Sequence, residues 1–216
     1  MKHLAPFLND VTYPLYFFDI ETVQLPVPRW IGTSPFDSVP FQFSIHRQEE
    51  RGGPTEHVEY LSDARTDPRD AFVRTFLEST EAPGDIWVYN LSFERRALQQ
   101  LSLRFESLQA DLDNRIGRLR DLMTPFQKRW CYDPAMNGRF SIKKVLPALV
   151  PSVSYESLDA DVRNGEDACV AFESLLRGEV VSPHEVDRLR ESLLAYCELD
   201  TRAMVLLMDA LHNIRE

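Results

Sequence analysis

Two carboxylates, Asp19 and Glu21, interrupt an otherwise apolar run, LYFFDIE at residues 15–21. In a β-strand, positions i and i+2 project from one face, so both acids would leave the strand together. Like charges held that close in apolar surroundings raise each other's pKa and are costly to bury; a divalent cation is the simplest compensation. Asp111/Asp113, Asp159/Asp161, Glu185/Asp187 and Glu198/Asp200 share the spacing but lie in polar or helical contexts, where water serves them. A second acid, Glu94, closes the string Asn90-x-x-Phe93-Glu94 after the apolar run IWVYN (86–90). At a strand-to-helix junction such a side chain can lean over the carboxyl end of a sheet, the crevice where α/β proteins bind ligands. It can equally be an acid that favours a helix N-terminus. A third pair, Tyr196 and Asp200, has the i, i+4 spacing that puts a phenol and a carboxylate on one helix face.

The remaining composition narrows the chemistry. Cys131, Cys169 and Cys197 are scattered with no C-x-x-C pair, and His3, His46, His57, His184 and His212 form no H-E-x-x-H or paired motif. Thiolate and imidazole metal sites are thereby disfavoured, and a metal would have to be held by carboxylates, which select hard cations such as Mg²⁺ or Mn²⁺. A net charge of −10, from 34 acidic and 24 basic residues, argues against nonspecific binding along duplex nucleic acid, though not against gripping a few nucleotides. No stretch approaches the ~20 apolar residues of a membrane span, and the N-terminus shows no apolar core with a small-residue cleavage site; a cytoplasmic protein without a membrane partner is the expectation. With 44% hydrophobic and 11% aromatic residues, the chain can bury a real core.

These residues need elements to hold them. Strands are predicted at 15–21, 41–48, 56–61 and 86–90, with a Pro-rich connection over 24–40 and a turn at Arg51–Pro54. Helices are predicted after Asp67-Pro68, from Phe93, through 105–122, over SIKKVLPALV with an interruption at Pro147, over GEDACVAFESLL, and from about His184 to His212 behind Ser182 and Pro183. A meander of strands, a helical crossover and then helices give an α/β fold: a mixed β-sheet flanked by α-helices, in the order of a ribonuclease-H-like fold.

In chain order the three motifs resemble the DEDDy branch of the DnaQ-like 3′–5′ exonucleases of the ribonuclease-H-like superfamily. The first motif of that branch is Asp-x-Glu, the second carries an Asp and the third is Tyr-x-x-x-Asp. FDIET (18–22) and YCELDT (196–201) carry the first and third, while Glu94 stands where the second usually has Asp. That departure gives one corner of the site a longer arm. A closer resemblance, over roughly residues 14–211, is to an uncharacterised bacterial domain family of the same superfamily. It rests on Gly32, Thr33, Pro40, Phe41, Gln42, Ser44, His46, Tyr89, Asn90, Ser141, Ile142 and Lys143 as well as the motifs. Some relatives carry the domain behind a RecB-like nuclease domain with a cysteine-bound cluster, which the scattered cysteines here do not match. The resemblance implies one DnaQ-like exonuclease domain over 1–216. Asp19, Glu21, Glu94 and Asp200 would hold two Mg²⁺ or Mn²⁺ ions, and Tyr196 would orient the attacking water or relay its proton. The implied reaction removes nucleoside 5′-monophosphates from the 3′ ends of single-stranded DNA or RNA.

Substrate contacts are open between two readings each. Lys143 and Lys144 could meet phosphate or lie solvated at a helix start. Of Arg95 and Arg96, adjacent on a helix, at most one can face the site. Trp30, after Arg29, could stack on a terminal base or plug the core. Asn90 is a candidate substrate contact, Gln42 and His46 are candidates to support the ligands from behind, and Asp121 reads as a capping or ion-paired residue. Two other functions fit the same motifs: a catalytically inactive nucleic-acid-binding or protein-interaction module, and a phosphodiesterase for very short oligonucleotides.

Overall fold

The computed structural model describes residues 2–155, 158 and 161–215. Its centre is a five-stranded sheet in the order β3-β2-β1-β4-β5, formed by β1 (Leu15–Gln24), β2 (Ser38–Gln48), β3 (Thr55–Leu61), β4 (Ile86–Val88) and β5 (Leu119–Asp121). β2 runs antiparallel to both β1 and β3, whereas β4 is parallel to β1 and to β5. This is the mixed, helix-flanked α/β sheet expected from the element order.

Helices cover both faces, which is why β1 reads as a continuous apolar run rather than a strict alternation. Tyr16, Phe18 and Ile20 pack against Phe72 and Phe76 of α2 (Arg69–Ser79), Leu98 and Leu101 of α3 (Leu91–Arg104) and Leu112 of α4 (Gln109–Gly117). On the other face, Leu15 and Phe17 meet α1 (Leu4–Asn9), α6 (Ile142–Leu149) and the long α8 (Pro183–Arg215), with α5 (Thr124–Gln127) beside them. Val23, Val39 and Phe41 pack against α7 (Gly165–Arg177), where the Phe41 and Phe172 rings stack with centroids 3.9 Å apart.

Three local expectations fail. Residues 105–122 are not one helix: α4 ends at Gly117 and β5 follows, because Arg118 anchors the turn by donating to the carbonyls of Thr80, Ala82 and Gly84. Three residues are too few to display a period. Pro147 does not interrupt α6, which continues to Leu149 with Val145 and Leu146 buried. α1 was not predicted; it is six residues long, held by Leu4 and Leu8 one turn apart on the core side.

Candidate metal centre

β1 delivers Asp19 and Glu21 to the face covered by α7 and α8, in line with Leu15, Phe17 and Val23. Opposite Glu21 the β1–β2 register slips: Glu21 pairs with Gln42 but Thr22 pairs with Pro40. Such an irregularity re-aims side chains next to a site. From α8, Tyr196 and Asp200 come down one turn apart, both buried. One oxygen each of Asp19, Glu21 and Asp200 lies within 4.8 Å of the others.

Glu94 arrives from the far side of β1. β4, parallel to β1, ends at Val88, and Asn90 adopts a left-handed conformation (φ 97°) that lets α3 begin at Leu91 without a longer loop. Asn is one of the few side chains that tolerates this region. Glu94 then lies in the first turn of α3, only 2% exposed, with Oε2 lacking a hydrogen-bond partner among the described residues. Asp19, Glu21, Glu94, Asn90, Tyr196 and Asp200 line one cavity of about 250 Å³. The N-terminus of α7 closes it: a Cβ on Gly165 would sit 3.5 Å from Glu21 Oε2.

The electrostatics are one-sided. Burial, reinforced by Asp200 and Glu21, raises the Asp19 carboxyl well above the ordinary range, against which the Cys197 thiol donates to Asp19 Oδ2 at 3.6 Å. Burial and the charge of Asp200 raise Glu21; burial also raises Asp200, though hydrogen bonds from Tyr155 and Tyr196 and the charge of Lys143 work against it. Glu94 is pushed up to about 9 by burial and then by Asp19. Among the described residues Lys143 is the cation whose charge lowers both Glu21 and Asp200, and its ammonium donates to the Arg163 carbonyl at 2.5 Å. It also lies 4.9 Å from the Tyr196 ring centroid and 5.2 Å from that of Tyr155. Asp19, Glu21 and Asp200 form a donor set that fits a divalent oxygen-seeking cation, while Glu94 lines the same cavity outside that three-residue cluster.

Tyr155 and Gly165 near the site escape the sequence analysis, and Cys197 and Thr201 enter it only as parts of YCELDT. Tyr155, whose hydroxyl donates to Asp200 Oδ1, sits in a stretch with no periodicity. Cys197 lies inside the YCELDT motif with no role assigned by it, and Gly165 carries no signal. Thr201 sits next to Asp200: its hydroxyl meets Ser44 Oγ and His46 Nδ1, each at 2.8 Å, and donates to the Glu198 carbonyl at 3.0 Å. Gln42 donates to the Leu193 carbonyl at 2.7 Å. The polar row Gln42, Ser44, His46 on β2 therefore fixes how α8 lies on the sheet, which is the supporting role considered for Gln42 and His46.

Other candidates separate. Lys143 joins the site beside the two tyrosines, while Lys144, Arg95 and Arg96 are exposed and line no part of the cavity. Asn90 is at the rim, its side-chain oxygen accepting from Ser92 Oγ at 2.8 Å. Trp30 does not line the cavity; it packs half-buried against the Val39 and Phe41 cluster, so the core-plug reading describes its place. Asp121 accepts from the Met123 amide at 2.9 Å, a capping role.

Fold and site together define an α/β protein with an acid-lined cleft at its central strand. The chain belongs to the family described as Domain of unknown function (DUF2779), whose sequence model matches residues 16–141. The matched segment holds Asp19, Glu21, Asn90 and Glu94 and stops short of Tyr155, Tyr196 and Asp200. No curated protein and no solved structure matches the chain.

Proposed function

We propose that this protein is a metal-dependent phosphodiesterase that removes nucleotides from the 3′ end of single-stranded nucleic acid. The observation that carries the reading is the convergence of Asp19, Glu21 and Asp200, one oxygen each within 4.8 Å, from two elements far apart in sequence. Glu94 adds an unpartnered buried oxygen on the same cavity. Asp19, Glu21, Glu94 and Asp200 would hold Mg²⁺ or Mn²⁺, which in such sites lowers the pKa of bound water and stabilises the leaving oxygen. The side chains set the rest. Tyr155 donates to Asp200 Oδ1 and orients its carboxylate, and Tyr196 lies one turn away on the same helix, lining the same cavity. Tyr196 would orient the attacking water or relay its proton; in the metal-free protein burial and then the charge of Asp200 push its hydroxyl above the ordinary value. Lys143 supplies positive charge beside Glu21 and Asp200, where a phosphate oxygen would enter.

The test is a time course on 5′-labelled single-stranded DNA and RNA with Mn²⁺, Mg²⁺ or EDTA, beside an Asp19→Ala/Asp200→Ala protein. The expected result is a ladder shortening from the 3′ end that EDTA and the double substitution abolish. No cleavage of either polymer, or cleavage retained by the variant, would overturn the reading.

A further inference from the structure

A second concavity, lined by arginines, lies away from the cleft carboxylates. A basin of about 640 Å³ opens between the C-terminal end of α7 and the first turns of α8, lined by Arg29, Asp63, Arg65, Arg177 and Arg190 with apolar walls. Arg177 is neutralised by Glu173 and Glu179. Arg29, Arg65 and Arg190 form no salt bridge among the described residues, though the charge of Arg65 helps to lower the Asp63 carboxyl. Arg29 donates to the Leu176 carbonyl at 2.5 Å, and Arg190 donates to the carbonyls of Ser62 and Leu61 at 2.7 and 3.4 Å. These neutral acceptors hold the guanidinium groups in place without cancelling their charge, and each leaves several N–H groups unused. The Arg65 guanidinium has no hydrogen bond among the described residues. Its neighbour Asp63 spends Oδ1 on the amides of Arg65 and Thr66. With Glu173 and Glu179 on Arg177, the basin sets four guanidinium groups against three carboxylates, a local excess of positive charge in a chain of net charge −10. Fixed, partly exposed arginines around a concavity match the oxygens of phosphate groups.

We propose that this basin holds the sugar-phosphate backbone of a single strand upstream of the end that occupies the carboxylate cleft. The inference rests on the phosphodiesterase reading for the identity of the strand. Gly165 is at the cleft and Arg177 at the basin, so twelve residues of α7 separate them, about 18 Å at 1.5 Å per residue. At about 3.4 Å per phosphate along a stacked strand, that distance spans about five phosphates. A substrate shorter than this reaches only the cleft.

Binding of fluorescein-labelled dT4 and dT12, followed by anisotropy in EDTA, tests the basin without turnover. Three backbone contacts on a single strand lower the affinity for dT12 about 18-fold between 50 and 200 mM salt, and one contact lowers it about threefold. The wild type is expected to show the first figure and Arg29→Ala/Arg65→Ala the second, with dT4 binding the same to both. Arg65→Glu alone, at an exposed side chain, covers the case in which the double variant unfolds, and is expected to weaken dT12 as well. Arg74→Ala/Lys128→Ala removes equal charge elsewhere and is expected to change little. Equal weakening in that control, unchanged salt dependence in the basin variants, no binding of dT12, or full displacement of dT12 by millimolar inorganic phosphate would overturn the proposal. The two readings fail separately: dT12 bound as expected but never cleaved with Mn²⁺ removes the phosphodiesterase, whereas cleavage indifferent to the arginines removes the basin.

Discussion

Replacing Glu94 with Gln exchanges a buried carboxyl for a neutral side chain of nearly the same shape. In the metal-free protein the Glu94 pKa stands at about 9, from an ordinary 4.5, with burial the main cause and Asp19 the next. At pH 8 the fold must therefore keep this group protonated while the unfolded chain ionises it. At 1.36 kcal/mol for each pH unit above 4.5, the cost reaches about 5 kcal/mol as an upper figure. The amide bears no such cost but must itself be buried with incomplete partners, worth about 1–3 kcal/mol. A net gain of about 2–4 kcal/mol at pH 8 follows, or roughly 5–15 °C in Tm for a chain of this size. At pH 5 the protonation cost falls below about 1 kcal/mol and the gain vanishes or reverses. Thermal melts of wild type and Glu94→Gln in EDTA at pH 5 and pH 8 measure the difference directly. A variant no more stable than wild type at pH 8, or equally stabilised at both pH values, would refute the claim that Glu94 is a stranded acid awaiting a cation.

Further outcomes follow from the same geometry. All four cleft carboxyls have raised pKa values, so the fold holds more protons than the unfolded chain and loses stability as pH rises through those values. The metal-free Tm should fall from pH 7 to pH 9, a window above the range where buried His46, lowered to about 4, contributes a slope of the opposite sign. Saturating Mn²⁺ should flatten or reverse the fall, and a metal-independent profile would count against a metal centre. Thr201→Val strands His46 Nδ1 in the core and leaves the Ser44 hydroxyl only His57, and should cost about 1–3 kcal/mol, seen as a lower urea midpoint with an unchanged slope. Gly84→Ala puts a Cβ 1.8 Å from the Pro14 carbonyl oxygen, so a loss of about 3 kcal/mol or more, or insoluble protein, is expected; an unchanged melt would mean that the turn can shift freely.

The parts of the site that the sequence exposes are those where a residue contradicts its surroundings. Asp19 and Glu21 stand out because acids are costly in an apolar strand, and the period of two puts them on one face whatever the tertiary fold. Tyr196 and Asp200 are tied by the helical period, and Glu94 by its place after a strand. Tyr155 meets Asp200 across 45 positions, and Thr201, Ser44 and His46 are ordinary small polar residues until the β1–β2 register brings them under α8. Only packing creates those contacts. β5 exists because β4 offers it a free edge, and its three residues carry no pattern of their own. The basin escapes for the same reason: its arginines come from four separate segments, and only Arg29 had drawn notice, as the neighbour of Trp30.

Calorimetric titration of Mn²⁺ into the metal-free protein at pH 7.5 tests the centre most directly, because it asks for neither a substrate nor turnover. Binding should approach two ions per chain and release protons, read from its dependence on buffer ionisation heat, since raised carboxyls must ionise to become ligands. Asp19→Ala/Asp200→Ala should abolish it. Absence of saturable binding, or binding that the double substitution leaves intact, would contradict a carboxylate metal centre at β1 and α8.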